Sequence, residues 1–505
     1  MSLLKRDWKF IDEHARMATE KDAKSFDSLV AYLNKPIARN PDRDIFMTRA
    51  LLYWLKCNLE ASKAGNHPRD TPLYVAKKMA NEEAAYADSF KRFCEKAGID
   101  CHVVEGVAKT GQYKPGDLTV DAEKMRARWN KVFLLGKFWP VNPRYILRSK
   151  RRDAEGKIVE GLFNEYWFLT DPEIFIHHCL PTNPEDQMLT VSKRIKNERQ
   201  FMKLPSLTPA FHDYGLRLTS ENQCMIEAID GLCKVSFKAE RNVAKNLVCG
   251  FVKADMRRVL DLKGTENKDV TAEFKDIDTA LLVFCARKKN NFLFEVRCPV
   301  EMAAYNLTIE GGNVGENQKH ALVKTRIICR EKMEHFKPFP ANPGNIGWGF
   351  GPLATRVGLK KPSKKDPKFV LNKGSIKIEF EVDADKARKR EFTAAMSGEG
   401  KSALDLKECA HVTSSSGKLS VEVRAPPTAG EYVLTVLASG EPVCNYLITT
   451  LEDAEKLEDE YYDSSDGTSD VDDQIDVLES QLSDLTAKRD RLRALVQQQT
   501  GTGRK

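Results

Sequence analysis

Helical periodicity dominates the start of the chain and gives way to strands after residue 98. Apolar residues recur with helical spacing over residues 8–15 and again over 25–35. Residues 45–55 are apolar on nearly every side, which predicts a deeply buried helix. Another helix is predicted over residues 84–96, because Gly98 is a residue that commonly follows a last helical turn.

Short strands dominate the rest of the body. Residues 101–106 and 131–136 predict strands, and Gly136-Lys137 suits a hairpin turn between strands. From 216 to 340, apolar runs alternate with polar turns, and the same pattern returns over 368–450. This spacing predicts two β-sandwiches of about 100 residues each.

The C-terminal part has a different pattern. Residues 451–470 are acidic and rich in Ser and Asp, which predicts disorder. Residues 471–499 then carry apolar positions in steps of four and three, beginning with Val471, Ile475 and Leu478. These a/d heptads predict a self-associating coiled coil. A single amphipathic helix docked on the body and a helix for a partner are the alternatives.

Charge is distributed unevenly along the 505 residues. The whole chain carries +7, but residues 452–479 hold thirteen Asp or Glu and one Lys, so the remainder carries +19. A basic body with an acidic segment suggests an anionic partner or screening of the body by its own tail. The basic runs 148–152, 360–365 and 388–390 accompany no nucleic-acid-binding motif, so we expect solvated loops or contacts with acidic protein surfaces.

The sequence contains few signals for membrane insertion, secretion or metal binding. No apolar run reaches about 18 residues, so no transmembrane helix is expected. The N-terminus lacks the apolar stretch of a secretory signal, which predicts an intracellular protein. None of the twelve cysteines forms a CxxC pair. His177, His178 and Cys179 with His212 are interpreted as ordinary core and surface residues, and no metal or cofactor is expected.

Seven stretches between residues 8 and 352 form an ordered series. They are 8–15, 25–33, 49–54, 86–98, 163–172, 204–211 and 347–351. In this order they resemble the kyphoscoliosis peptidase and hillarin family, which has a transglutaminase-like, papain-related core. The resemblance and the periodicity together predict an α+β chain. A transglutaminase-like core is followed by two β-sandwich domains and a C-terminal coiled-coil helix.

The boundaries that follow divide the chain into seven parts. They are a helical lead-in and transglutaminase-like core (1–147), a family-specific connecting region (148–215), a β-sandwich (216–340), a linker rich in Pro, Gly and Lys (341–367), a second β-sandwich (368–450), an acidic linker (451–470) and a coiled coil (471–499).

The resemblance also implies where the family chemistry would lie. The family uses a Cys thiolate that attacks an acyl carbon, a His base and an Asp that orients the His. By the resemblance, Glu83 stands at the cysteine position, Ala127 at the histidine position and Asn142 at the aspartate position. Glutamate is a far poorer nucleophile than a thiolate, and alanine cannot accept a proton. The sequence therefore predicts a degenerate triad.

A relocated thiol is the alternative site. Cys94 lies about three turns beyond Glu83 in the predicted helix, away from the helix start. Cys101 and His102 are adjacent, and neighbours on a strand point to opposite faces. Neither arrangement predicts a thiol beside an imidazole.

The predicted function is that of a non-catalytic, transglutaminase-like pseudoenzyme. The resemblance implies a cytoplasmic, cytoskeleton-associated scaffold or protein-binding module, with self-association through 471–499 and no nucleic-acid partner. Its interaction surface is predicted at the degenerate cleft, from Arg126, Arg128, Trp129 and Asn130. The second hypothesis is a cysteine peptidase or protein-glutamine transferase that uses a relocated thiol. The third is an oligomer with a purely structural role.

Overall fold

The computed structural model describes most of the body of the chain. The described residues are 6–109, 113–117, 119–152, 158–220, 223–259, 266–267, 278–315, 319–388, 390–398, 400–415 and 417–451. The predicted coiled coil, and all of the predicted acidic linker except Leu451, lie outside them. Across the described residues, no helix is both long and apolar enough to cross a membrane.

Five helices open the N-terminal unit. Their bounds are α1 Lys9–Arg16, α2 Phe26–Asn34, α3 Arg43–Asn58, α4 Pro72–Asn81 and α5 Tyr86–Lys96. Ser25 begins α2 with a reciprocal capping box, because its side chain accepts from the Ser28 N–H while Ser28 bonds back. Helix α3 is buried along most of its length, as its all-round apolar pattern predicts.

The helices pack against an antiparallel sheet made of the third, second, first and sixth strands of the chain, in that order. The strands and helices of this part are β1 Cys101–Ala108, α6 Ala122–Met125, β2 Arg126–Leu134, β3 Lys137–Val141, α7 Pro143–Leu147, β4 Ser149–Arg152, β5 Ile158–Leu162, α8 Pro172–Phe175, β6 Cys179–Pro181 and α9 Glu198–Lys203. Leu135 and Gly136 both adopt positive φ, which closes the β2–β3 hairpin with a tight turn. One continuous hydrophobic core joins the helices to the sheet.

Two sheets sharing one core form the first sandwich. Its elements are β7 Ser206–Leu207, α10 Pro209–Asp213, β8 Arg217–Leu218, β9 Met225–Ala228, β10 Leu232–Lys238, α11 Arg241–Ala244, β11 Leu247–Val259, β12 Glu266–Asn267, β13 Val283–Lys288, β14 Asn291–Arg297, β15 Ala303–Asn313 and β16 His320–Cys329. The sheet orders are β13-β14-β10-β8 and β12-β11-β15-β16-β7, with β9 parallel to β16. Leu207 and Phe211 lie in this core, so the packed unit begins before the predicted boundary at 216.

A second pair of sheets follows. Its elements are α12 Pro352–Arg356, β17 Leu359–Lys360, β18 Lys368–Val370, β19 Ser375–Val382, α13 Ala384–Ala387, β20 Phe392–Gly398, β21 Ala410–Ser415, β22 Lys418–Arg424, β23 Gly430–Ala438 and β24 Glu441–Thr450. The orders are β17-β19-β22-β21 and β18-β24-β23-β20. Alternate residues of these strands share one hydrophobic core, as a sandwich requires.

The two sandwiches contact each other directly. Arg297 Nη2 of the first lies 2.7 Å from Glu431 Oε1 of the second. Trp348 is buried, and its ring centroid lies 5.2 Å from that of Phe284. Leu359 belongs to the core of the second sandwich. The stretch predicted as a linker over 341–367 is therefore packed structure, because its few apolar residues fill the junction.

Candidate functional site

Glu83 lies where the chain enters α5. Helix α4 ends at Asn81, Glu82 is extended, and one 3-10 turn over Glu83–Ala85 leads into α5. The Glu83 side chain is 69% exposed, and its Oε1 lies 2.7 Å from Arg144 Nη2. An exposed ion pair of this kind contributes about 0–1 kcal/mol to stability. A solvated ion pair therefore occupies the position at which the resemblance implies a thiolate.

Ala127 lies on β2 directly opposite Gly106 of β1. Its methyl group packs in a small cluster with Trp129 and Phe175. A Cβ at Gly106 would meet the Leu180 carbonyl oxygen at 2.2 Å and the Trp129 ring at 2.7 Å. Glycine is thus required by the close approach of the neighbouring strand, and an apolar side chain fills the histidine position.

Asn142 caps helix α7. Its Oδ1 accepts a hydrogen bond from the Tyr145 N–H at 3.2 Å. Its own N–H donates to the Trp167 carbonyl oxygen at 3.1 Å, and the residue is buried. Helix N-caps favour Asn and Asp because the side-chain oxygen satisfies a free N–H of the first turn. The amide oxygen at the aspartate position is therefore used for capping.

Helix α7 links the three positions. It is capped by Asn142, and it carries Arg144, which pairs with Glu83. It also carries Tyr145, whose ring centroid lies 4.8 Å from that of Trp167. Trp167 in turn packs against the cluster that contains Ala127. The structure thus connects the three predicted positions through one short helix and one tryptophan.

Tyr145 is a residue of this region that sequence reasoning missed. Burial raises the pKa of its hydroxyl to about 12, with smaller contributions from neighbouring groups that include Cys179 and Glu83. The phenol is therefore neutral at physiological pH. The sequence signal that could have identified Tyr145 is its place in the first helical turn after Asn142. Its position at the site, however, depends on the packing of α7 against Trp167.

The alternative thiols are buried away from an imidazole. Burial, followed by the neighbouring Cys101, raises the pKa of the Cys94 thiol. Cys101 Sγ lies 3.5 Å from Asn130 Nδ2 on the buried face of β1. The half-exposed His102 has its Nε2 2.8 Å from Asp100 Oδ1. The two neighbours therefore occupy opposite faces, as strand alternation predicts.

A third thiol, Cys179, lies in the same cluster as Ala127. Burial raises its pKa well above the ordinary value. The adjacent His178 is half-buried, and its Nε2 lies 2.6 Å from the Tyr166 hydroxyl. Burial also lowers the pKa of His178 well below its ordinary value. Cys179 is therefore held as a neutral thiol beside a neutral imidazole that bonds elsewhere.

The predicted interaction surface is wrong for two of its four residues. Trp129 and Asn130 are fully buried, because β2 is covered on both faces. Trp129 packs with Phe175 on one face, and Asn130 Nδ2 donates to the Ala87 carbonyl at 3.0 Å on the other. The half-buried Arg128 pairs with Asp88, with Nη1 2.5 Å from Oδ2, and Arg126 is exposed.

The three histidines singled out in the sequence lie near one another. The ring centroids of His177 and His212 are 6.4 Å apart, and Tyr166 contacts both His178 and His212. Burial lowers the pKa of His177 and His212 to about 4. Within the described part of the chain, no cluster of three His, Cys, Asp or Glu has the geometry to hold a metal ion.

Comparisons with known proteins identify relatives of this architecture. A family model described as a KY-like, immunoglobulin-like domain matches residues 198–340, which contain the first sandwich. Hillarin of Drosophila melanogaster is 25% identical over 74% of this chain and 45% of its own length. Human kyphoscoliosis peptidase is 27% identical over 76% of this chain and 52% of its own.

A third relative is the Lim and transglutaminase domain protein ltd-1 of Caenorhabditis elegans. It is 30% identical over 41% of this chain and 29% of its own length. The chain spans about half the length of hillarin and of kyphoscoliosis peptidase.

Proposed function

This chain belongs to the family of hillarin and kyphoscoliosis peptidase, and from that premise we propose that it is a non-catalytic member. It would act as a cytoplasmic, cytoskeleton-associated scaffold that binds other proteins. Its N-terminal unit would be the transglutaminase-like core of the family.

The chemistry of the triad positions carries the proposal. Acyl transfer needs a nucleophile, a base within hydrogen-bond reach and a group that orients the base. At these positions Glu83 is an exposed carboxylate paired with Arg144, the Ala127 side chain has no polar atom, and Asn142 caps a helix. Changing all three functional groups removes the nucleophile and the base together, a loss that no single remaining group compensates.

The state of the other thiols supports the same conclusion. A reactive cysteine normally has a lowered pKa in a partly exposed, electropositive setting. Cys94 and Cys179 have raised pKa values, and burial is the main cause of both shifts. Among the described residues, neither thiol makes a contact that favours the hypothesis of a peptidase or transferase.

A role in protein binding is supported by the groups around the triad positions. Charged, exposed side chains remain there, including Glu83 and Arg126, which precedes Ala127 on β2. Two sandwiches follow and are joined by the Arg297–Glu431 ion pair, both side chains of which are mostly buried. The resemblance implies association with the cytoskeleton, so actin filaments, a major cytoskeletal polymer, are the first binding partner to test.

Co-sedimentation of the full chain with purified actin filaments tests this proposal. We expect saturable pelleting, and we expect Arg126→Glu to lower the bound fraction about three-fold because a rim charge guides association. Lys377→Glu, an equal charge change on an exposed position of β19, is the matched control and should bind as the wild type does. A chain that stays in the supernatant at every filament concentration would contradict the filament-binding role.

A further inference from the structure

A basic groove lies where the two sandwiches and the segment between them meet. It encloses about 780 Å³ and has seven Lys or Arg side chains on its walls. Lys245 and Arg287 come from the first sandwich, Arg356 and Lys365 from the connecting segment (residues 341–367), and Lys386 from α13 in the second. None of the described residues that line it is Asp or Glu. A cleft with one sign of charge concentrates counter-ions of the other sign.

Most of these cations have no carboxylate partner. Lys288 lies 2.8 Å from Asp366. Among the described residues, no carboxylate forms an ion pair with the five cations named above. Arg287 is the most buried, and its Nε donates to the Lys289 carbonyl oxygen at 2.8 Å. Burial lowers its pKa to about 10. The groove therefore concentrates positive charge that carboxylates of the described residues offset only in part, through the Lys288–Asp366 pair and a weaker attraction between Asp383 and Lys386.

Apolar surface also lines the groove. Phe350 and Pro352 enter from the connecting segment, and Val314 enters from the end of β15. If a small inorganic anion bound here, the apolar surface would remain exposed to water. The walls instead suit an acidic peptide that carries apolar side chains between its carboxylates, because burying apolar area contributes about 25 cal/mol per Å².

The chain itself contains such a peptide. Residues 452–479 hold thirteen Asp or Glu and one Lys, and Leu457, Tyr461 and Tyr462 lie among them. The described body ends at Leu451, just after β24. Asn445 of that strand pairs with Gly349, which is adjacent to Phe350 in the groove. The six residues that follow Asn445, ending at Leu451, cover about 20 Å as a strand. An extended tail returns over that distance in about six residues.

We propose that the basic groove binds the chain's own acidic segment 452–479. Covalent linkage gives this segment a high effective concentration at the groove, so it occupies the site ahead of free acidic ligands. The carboxylates face the five unpaired cations, and the apolar residues cover Phe350 and Val314. The segment thereby regulates a surface of the protein that is separate from the degenerate triad.

Carbodiimide cross-linking of the full chain tests this contact, because it joins Lys amines to carboxylates only when they touch. We expect cross-links from Lys245, Lys365 and Lys386 to residues 452–479, which weaken between 50 and 500 mM salt. The double change Lys365→Glu with Lys386→Glu removes two of these amines, so the remaining cross-link from Lys245 is the readout, and its yield should fall about five-fold. Lys234→Glu with Lys377→Glu, exposed positions outside the groove, is the matched control and should leave the yield unchanged.

An equal mixture of ¹⁴N- and ¹⁵N-labelled chains identifies which tail is bound. Same-isotope cross-links support binding within one chain, whereas mixed-isotope cross-links assign the tail to a second copy and overturn the proposal. Cross-links spread evenly over lysines outside the groove would also overturn it.

A second measurement leaves the groove unchanged. The triple change Glu458→Gln, Asp459→Asn and Glu460→Gln removes three negative charges and should weaken the binding of the tail to the groove. Because the tail then competes less, a fluorescent polyglutamate peptide should bind this variant about ten-fold more tightly than the wild type. Equal affinity for both proteins would mean that the tail does not occupy the groove.

Discussion

Arg49 is the charged residue most deeply buried in the helical core, and replacing it tests how the N-terminal unit is held together. Its side chain is 2% exposed. Nε lies 2.7 Å from Asp12 Oδ1, and Nη2 lies 2.7 Å from Glu165 Oε1. The guanidinium also stacks 3.8 Å from the Phe163 ring centroid. One side chain thus joins α1, α3 and the 3-10 turn after β5.

The magnitude follows from the exposure of the two carboxylates. Removing one partner of a buried ion pair costs about 3–5 kcal/mol, because the other charge is left unpaired. Asp12 is 15% exposed and Glu165 is 52% exposed, so most of the cost arises at Asp12. We expect Arg49→Met, which keeps the aliphatic stem, to destabilise the unit by about 3 kcal/mol.

Urea unfolding followed by tryptophan fluorescence measures this effect. Five of the six tryptophans lie within residues 8–167, so the signal reports mainly on the N-terminal unit. With a slope of about 2 kcal/mol per M urea, the midpoint should fall by about 1.5 M. Arg92→Met removes an exposed pair with Asp70 and is the matched control, with an expected loss of at most about 1 kcal/mol. Equal midpoints for both variants would refute the reasoning.

Three further predictions concern the same unit. Burial lowers the pKa of His177 to about 4 from the ordinary 6.5, so the unfolded chain binds a proton that the native protein does not. Stability should therefore fall as pH drops from 6.5 towards 4, by about 3 kcal/mol for this residue, and His177→Gln should flatten the urea midpoint against pH. Asn142→Ala should lose about 1 kcal/mol of capping energy, whereas Asn142→Asp should keep it; equal losses would contradict the capping role. In the native protein iodoacetamide should modify the exposed Cys57 before Cys94 or Cys101, which peptide mass spectrometry checks.

Strand and helix patterns predict what depends on local spacing. The buried helix α3 follows from its all-round apolar sequence, and Cys101 and His102 take opposite faces because a strand alternates. Alternation alone could not predict that the neighbours Trp129 and Asn130 are both buried. That outcome needs α5 on one face of the sheet and the Phe175 cluster on the other, which are contacts between distant parts of the chain.

The composition of one segment predicted its backbone conformation but not its tertiary packing. Residues 341–367 are rich in Pro and Gly, which favours loops. Yet Trp348 fills the junction between the sandwiches, since one large ring supplies the apolar area that the loop needs. The sequence did not predict the contacts of Arg144 with Glu83 and of Tyr145 with Trp167, because these contacts depend on where α7 packs.

One mass-spectrometric experiment tests whether the chain lacks catalytic activity. The full chain is incubated with a mixture of glutamine-containing peptides and a primary alkylamine, so that peptide cleavage and amine incorporation are read in the same spectra. An active transglutaminase and an active cysteine peptidase serve as positive controls. We expect no more cleavage or amine incorporation than in a blank that contains the heat-inactivated chain. Cleaved or amine-bearing peptides that disappear on Cys94→Ala, Cys101→Ala or Cys179→Ala would contradict it.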